Sequence, residues 1–105
     1  MRKVLSVVAT AVLLTSVMST SLMADPAKGQ KIYLKKFKKA CGFNGSKMTA
    51  KHSQDEWEAL KNDGKLVDEI KTICPNVKEV KEKYVPDLFD FFYEFANDSG
   101  NVPSC

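Results

Sequence analysis

The possibilities for this chain are bounded by its opening residues. Arg2 and Lys3 come first, then an almost unbroken apolar run over 4–17, then the small and polar stretch Ser19-Thr20-Ser21-Leu22-Met23-Ala24. That layout is an export signal over 1–24, with cleavage expected after Ala24 and a mature chain starting at Asp25. The run falls short of the roughly 18 to 20 apolar residues that span a bilayer, so no membrane anchor is expected once the signal is removed. The residue directly after the expected cut is Asp25 and not a Cys, which argues against a lipid anchor as well. The folding unit is then 25–105, one small domain expected to be periplasmic or secreted.

A domain of that size buries only about 60% of its unfolded surface, so its core alone gives marginal stability and a staple is expected. In an oxidising compartment the natural staple is sulfur, and the chain carries Cys41, Cys74 and Cys105. Three pairings are open, and one Cys is left over in each. The pairing Cys41–Cys74 is preferred, because both residues end helices that must turn back toward one core. No C-x-x-C spacing is present, so a redox-active pair is not expected.

Setting Arg2 and Lys3 aside from the 16 basic residues leaves 14 against 13 acidic ones, a net charge near +1 and not the balance of a nucleic-acid binder. The charge is unevenly placed. Lys28, Lys31, Lys35, Lys36, Lys38 and Lys39 crowd the first segment, and Asp87, Asp90, Glu94 and Asp98 lie in the last. Such runs are the solvated faces of helices or a docking face for an acidic partner.

Helical signals fill the rest. Asp25-Pro26 opens a helix running to about 40, with Gly29, Tyr33 and Phe37 on one line along its axis. Gly29 costs helix propensity, so another element should pass close to it. A turn over 41–45 leads to a short helical turn over 46–52, which would set Met48 and His52 on one side. Ser53-Gln54-Asp55-Glu56 reads as a capping box for a helix over 53–62, with Trp57 and Leu60 inward and Gly64 as its terminator. A helix over 65–74 buries Leu66, Val67, Ile70 and Ile73 and is stopped by Pro75. Residues 76–84 are expected to be an exposed connection or weak turn. Pro86-Asp87 opens a last helix, ending near 97, whose Leu88, Phe91, Phe92, Phe95 and Ala96 form a broad apolar face. Phe89 and Tyr93 extend the aromatic character around that helix, so exposure of either would mark a partner surface. No stretch alternates with period two, so the fold class is all-α, four or five short helices without a sheet.

Gly29 and Tyr33 on a first helix that ends at Cys41, short helices after it, and the aromatic run Phe89, Phe91, Phe92, Tyr93 and Phe95 on the last helix together resemble a small class I cytochrome c. The likeness covers most of 25–97 and is a pattern of helices, not a specific motif. It implies that the first and last helices cross closely, with Phe92 or Tyr93 packed over Gly29, and it implies a function connected with periplasmic electron transfer. The chain departs from that family at the cofactor. Haem attachment needs C-x-x-C-H, whereas here Cys41 is followed by Gly42-Phe43-Asn44, and the only His, His52, lies eleven residues past Cys41. Standard covalent haem attachment is excluded, and the cofactor is left unassigned. What the resemblance leaves open is His52 as an iron ligand with Cys41 as a single attachment point. A soft Cu(I) site from Met48, His52 and Cys41 is a further idea, to be dropped if Cys41 is in a disulfide. No catalytic constellation or phosphate loop is present, so no enzyme activity is expected. The alternative is a haemless, disulfide-stapled binding module for another exported protein.

Overall fold

Helix formation starts at Asp25, whose carboxylate accepts the Ala27 amide N–H at 2.9 Å while Pro26 occupies the first turn without wasting a donor. The computed structural model describes residues 24–105, so the expected signal over 1–24 lies, Ala24 apart, outside the described residues. Helix α1 (Pro26–Ile32) passes into a π turn (Tyr33–Phe37) and then α2 (Lys38–Cys41), one continuous rod. The π turn has a readable cause. Residues four apart drift by about 40° per step around an α-helix, so Gly29, Tyr33 and Phe37 would wander off one face. A single wider turn, closed by the Lys38 N–H on the Tyr33 carbonyl, cancels the drift and leaves Tyr33 and Phe37 both buried. Gly42, at φ 83°, ends the rod in the left-handed conformation that Gly adopts freely.

Four further elements complete the described fold: α3 (Gly45–Thr49), α4 (Gln54–Asn62), α5 (Leu66–Ile73) and α6 (Val85–Glu94), the last preceded by a 3₁₀ turn (Glu82–Tyr84). Among the described residues there is no strand, and no helix is long and apolar enough to cross a membrane. Asn44 caps α3 through the Lys47 N–H at 3.1 Å. The capping box of α4 is complete, with Ser53 Oγ accepting the Glu56 N–H and Glu56 Oε1 accepting the Ser53 N–H. Gly64, at φ 70°, follows α4 as expected. Helix α3 is shorter than the 46–52 expected, because its last carbonyls are capped at Ala50, and α6 stops at Glu94 with Phe95 already outside helical geometry.

The core is organised by α6. Its contact with α1 is the most extensive between any two elements, and it comes closest at Gly29. A Cβ there would strike the Asp87 carbonyl oxygen and approach Phe91 Cβ to 2.7 Å. The close crossing is therefore present, but Phe92 and Tyr93 do not make it. Asp87 and Phe91 do, because the Asp25 N–H donates to Asp87 Oδ1 at 3.0 Å and registers the two helix starts against each other. Phe92 instead stacks on Trp57 at 4.6 Å between ring centroids, holding α4 to α6. Tyr93 is half-buried beside Phe89. Tyr33 packs on Phe91 and donates its hydroxyl to the Phe43 carbonyl at 2.8 Å.

The connection after α5 also differs from expectation. Its Lys and Glu side chains are exposed, but Val77 and Val80 are buried in the core. Two apolar residues three apart in a charged stretch anchor the loop without forming a helix. Cys41 and Cys74 are joined, tying the end of α2 to the residue after α5. Closing a loop with a sequence separation of 33 contributes roughly 3–4 kcal/mol in the chain-entropy model.

Two outcomes follow. Gly29→Ala should lose about 2 kcal/mol or more in urea unfolding, since neither the Asp87 backbone nor Phe91 Cβ can yield cheaply. Leu34→Ala, at an exposed position on the same rod, should stay within about 0.5 kcal/mol. Separately, thiol titration of the native protein should find one free thiol, Cys105, and reduction should lower the melting temperature. Three free thiols in the native protein would contradict the staple.

Candidate functional site

Cys41, Met48 and His52, the candidates for a haem or metal site, are each committed to structure. Cys41 is in the disulfide, which removes its thiolate as a ligand and with it the Cu(I) idea. Met48 has no exposed surface and packs in the core. His52 lies beyond the end of α3, so the two do not share a helical face.

The surroundings of His52 explain its place. Its Nε2 lies 2.7 Å from Glu69 Oε2 on α5, and its Nδ1 lies 3.3 Å from Glu56 Oε1 on α4. The ring meets the Trp57 indole edge-on at 4.7 Å. Its backbone carbonyl accepts the Asn97 N–H at 3.1 Å. Below it, the Trp57 N–H donates to the Thr49 carbonyl at 3.1 Å, and Trp57 is fully buried. His52 thus joins α4, α5 and the segment after α6, and both ring nitrogens are engaged. Residues arranged this way do not fit a haem or copper centre: one donor is oxidised, one is sealed in the core, and the third is held between two carboxylates. The Ser53 backbone N–H, and then His52, hold the Glu56 carboxyl below its ordinary pKa.

Cys105 is the residue left over. The C-terminal segment folds back so that the Cys105 carbonyl accepts the Ser46 N–H at 3.1 Å, Pro103 is buried, and Ser104 Oγ accepts from Gln30 Nε2 at 3.2 Å. The thiol sits against Gly45, where a Cβ would come within 2.5 Å of the sulfur. Burial, followed by the nearby Cys105, drives the Tyr33 phenol well above its usual pKa, so this hydroxyl stays protonated and serves as a donor to Phe43.

The more suggestive surface lies elsewhere. Lys28, Lys31, Lys35 and Lys36 of the first rod face Lys83 across a groove of about 460 Å³, floored by Ile32 and Tyr84. The spacing of Lys28, Lys31, Ile32, Lys35 and Lys36 is one stripe of a helix. The Lys83 ammonium lies 5.8 Å from the Tyr84 ring centroid. Asp87 is the one carboxylate lining the groove, and it already accepts from the Asp25 N–H. Among the described residues the only ion pairs within 4.0 Å are those of His52, so no groove lysine is neutralised by contact. Sequence reasoning noted the crowding of lysines but missed the groove. The stripe was readable; the arrival of Lys83 and Tyr84 opposite it is a long-range contact that no local pattern signals.

Acid titration tests the His52 cluster. A carboxyl whose folded-state pKa is depressed adds stability above its unfolded value, and that addition is lost as pH falls through the folded value. Wild-type stability should therefore drop as pH is lowered through the carboxylate range, and Glu56→Gln, which can still complete the capping box, should flatten part of that drop. An unchanged acid limb in Glu56→Gln would show that Glu56 is not one of the groups responsible. Comparison with protein-family models, curated proteins and solved structures finds no match for this chain.

Proposed function

We propose that this protein is a small exported binding module, cytochrome c-like in its frame but haemless, which acts on another exported protein through its surface and performs no catalysis. The observation that carries the reading is the lysine-walled groove: a concave surface with an apolar floor and five ammonium groups, none in an ion pair within 4.0 Å among the described residues. Surface charge left without an internal partner, around apolar atoms left without a cover, suits recognition. The residues that would have supported cofactor chemistry support packing instead. Cys41 staples, Met48 fills the core, and His52 ties three segments together.

One observation favours a second reading, an electron-transfer protein of cytochrome c descent with His52 as iron ligand: the first and last helices meet at a glycine, Gly29. For that function His52 would have to leave Glu69 and Glu56, and the ring would have to part from Trp57.

Haem addition separates the two. Purified from an exporting host, the protein should be colourless, and titration with haem should give no Soret band that depends on His52. A stoichiometric Soret band abolished by His52→Ala would overturn the binding-module reading in favour of the second.

A further inference from the structure

We propose that the groove between the first rod and the Glu82–Tyr84 turn receives an acidic amphipathic peptide segment of a partner protein, its carboxylates on the lysine rim and an apolar side chain on Ile32 and Tyr84. This rests on the groove being the working surface and goes on to name what fills it.

Charge complementarity is the first argument. The domain's net charge is near +1, so the basic groove is a product of placement and not of composition. Lys28, Lys31 and Lys35 follow one another at three- and four-residue spacing on one helical stripe, where like charges repel. Lys83 comes from another element to the same groove and adds to the repulsion. Among the described residues Asp87 is the one carboxylate lining the groove, a single negative charge against five ammonium groups, and one of its oxygens already accepts the Asp25 N–H. A ligand carrying several carboxylates would offset the rest.

The kind of cation narrows the ligand class. Every basic residue after Lys3 is lysine, and there is no guanidinium to grip a phosphate bidentately. Lysine ammonium groups are mobile point charges that accept carboxylates in varied geometry. The shape narrows it further. Side chains can enter a groove of about 460 Å³ with an apolar floor, whereas a flat bilayer surface cannot fill it. Among the described residues the exposed large apolar side chains are Leu34 and Val102, which give the basic face no cluster to insert into lipid. The stripe from Lys28 to Lys36 spans about 12 Å along the rod, the length of roughly two helical turns. A segment with acidic residues at three- or four-residue spacing and one apolar residue among them matches both features.

The test uses the full mature protein and a labelled synthetic Glu/Leu amphipathic peptide, with a Leu→Ser version as its control, read by fluorescence anisotropy. The Glu/Leu peptide should bind, more weakly as salt is raised. Lys31→Glu combined with Lys35→Glu should reduce affinity by roughly tenfold or more, whereas Lys71→Glu with Lys78→Glu, the same charge change elsewhere, should not. Tyr84→Ala should remove the preference for Leu over Ser in the peptide while leaving the salt dependence in place. Anionic-lipid vesicles form a separate arm. If vesicles bind through Lys31 and Lys35 and the peptide does not, the partner class is wrong and the binding-surface reading stands. Self-association that depends on the same lysines would likewise replace the peptide with a second copy. If nothing binds in a groove-dependent way, both the inference and the reading beneath it fall.

Discussion

The crossing of α1 over α6 at Gly29 fixes where every other element can go. It brings a backbone carbonyl and an aromatic Cβ closer to the α1 backbone than any side chain would allow. With the Asp25–Asp87 hydrogen bond it sets the register between the helices. Given that register, Tyr33 meets Phe91 and reaches Phe43 with its hydroxyl, which draws the end of the rod and the following turn over the core. The opposite side of α6 is then free to receive Trp57 on Phe92. The π turn belongs to the same constraint, because a rod pinned at Gly29 buries both Tyr33 and Phe37 only if its phase is corrected between them.

Much of this was legible locally. The Asp25-Pro26 start, the capping box at Ser53, the Gly64 terminator and the helix types all rest on interactions within a few residues, which a sequence states directly. The requirement at Gly29 for a close neighbour was legible too, because a glycine inside a helix has a cost that something must offset. Which residue supplied that neighbour was not. Phe92 and Tyr93 lie only one and two residues beyond Phe91, rotated about 100° and 200° around the helix from it, and only the docking of the two helices decides which face meets Gly29. Val77 and Val80 were lost for a related reason: in a stretch of Lys and Glu two isolated valines have no periodicity, and their burial is decided by the core they reach. The Cys41–Cys74 pairing was inferred from helix ends converging on one core, a tertiary argument that needed only the right element boundaries.

The site residues show how chemistry-bearing side chains can be absorbed by a small fold. His52 accounts for contacts to two helices and the segment after a third. In a larger domain, apolar packing would supply such joints. In one this size few apolar residues are left over, and a ring that offers a nitrogen on two sides and an edge for Trp57 substitutes for several of them. Met48 is spent the same way, as a flexible apolar filler. Residue type alone left ligand roles open; burial and partners favour joints.

The lysines contrast with this economy. Where His52, Met48, Cys41 and Asp87 all have partners, five lysines around Ile32 and Tyr84 have no ion-pair partner within 4.0 Å among the described residues. Exposed ion pairs contribute little to stability, so a lone unpaired lysine carries no message. Several converging from two elements onto one apolar floor are different, because each raises the electrostatic work of holding the others there. A domain of this size, with a limited core, gains nothing internally from that arrangement. The proposed acidic, amphipathic segment would supply the other half of a complementary pair, with negative charge for the rim and a small apolar surface for Ile32 and Tyr84.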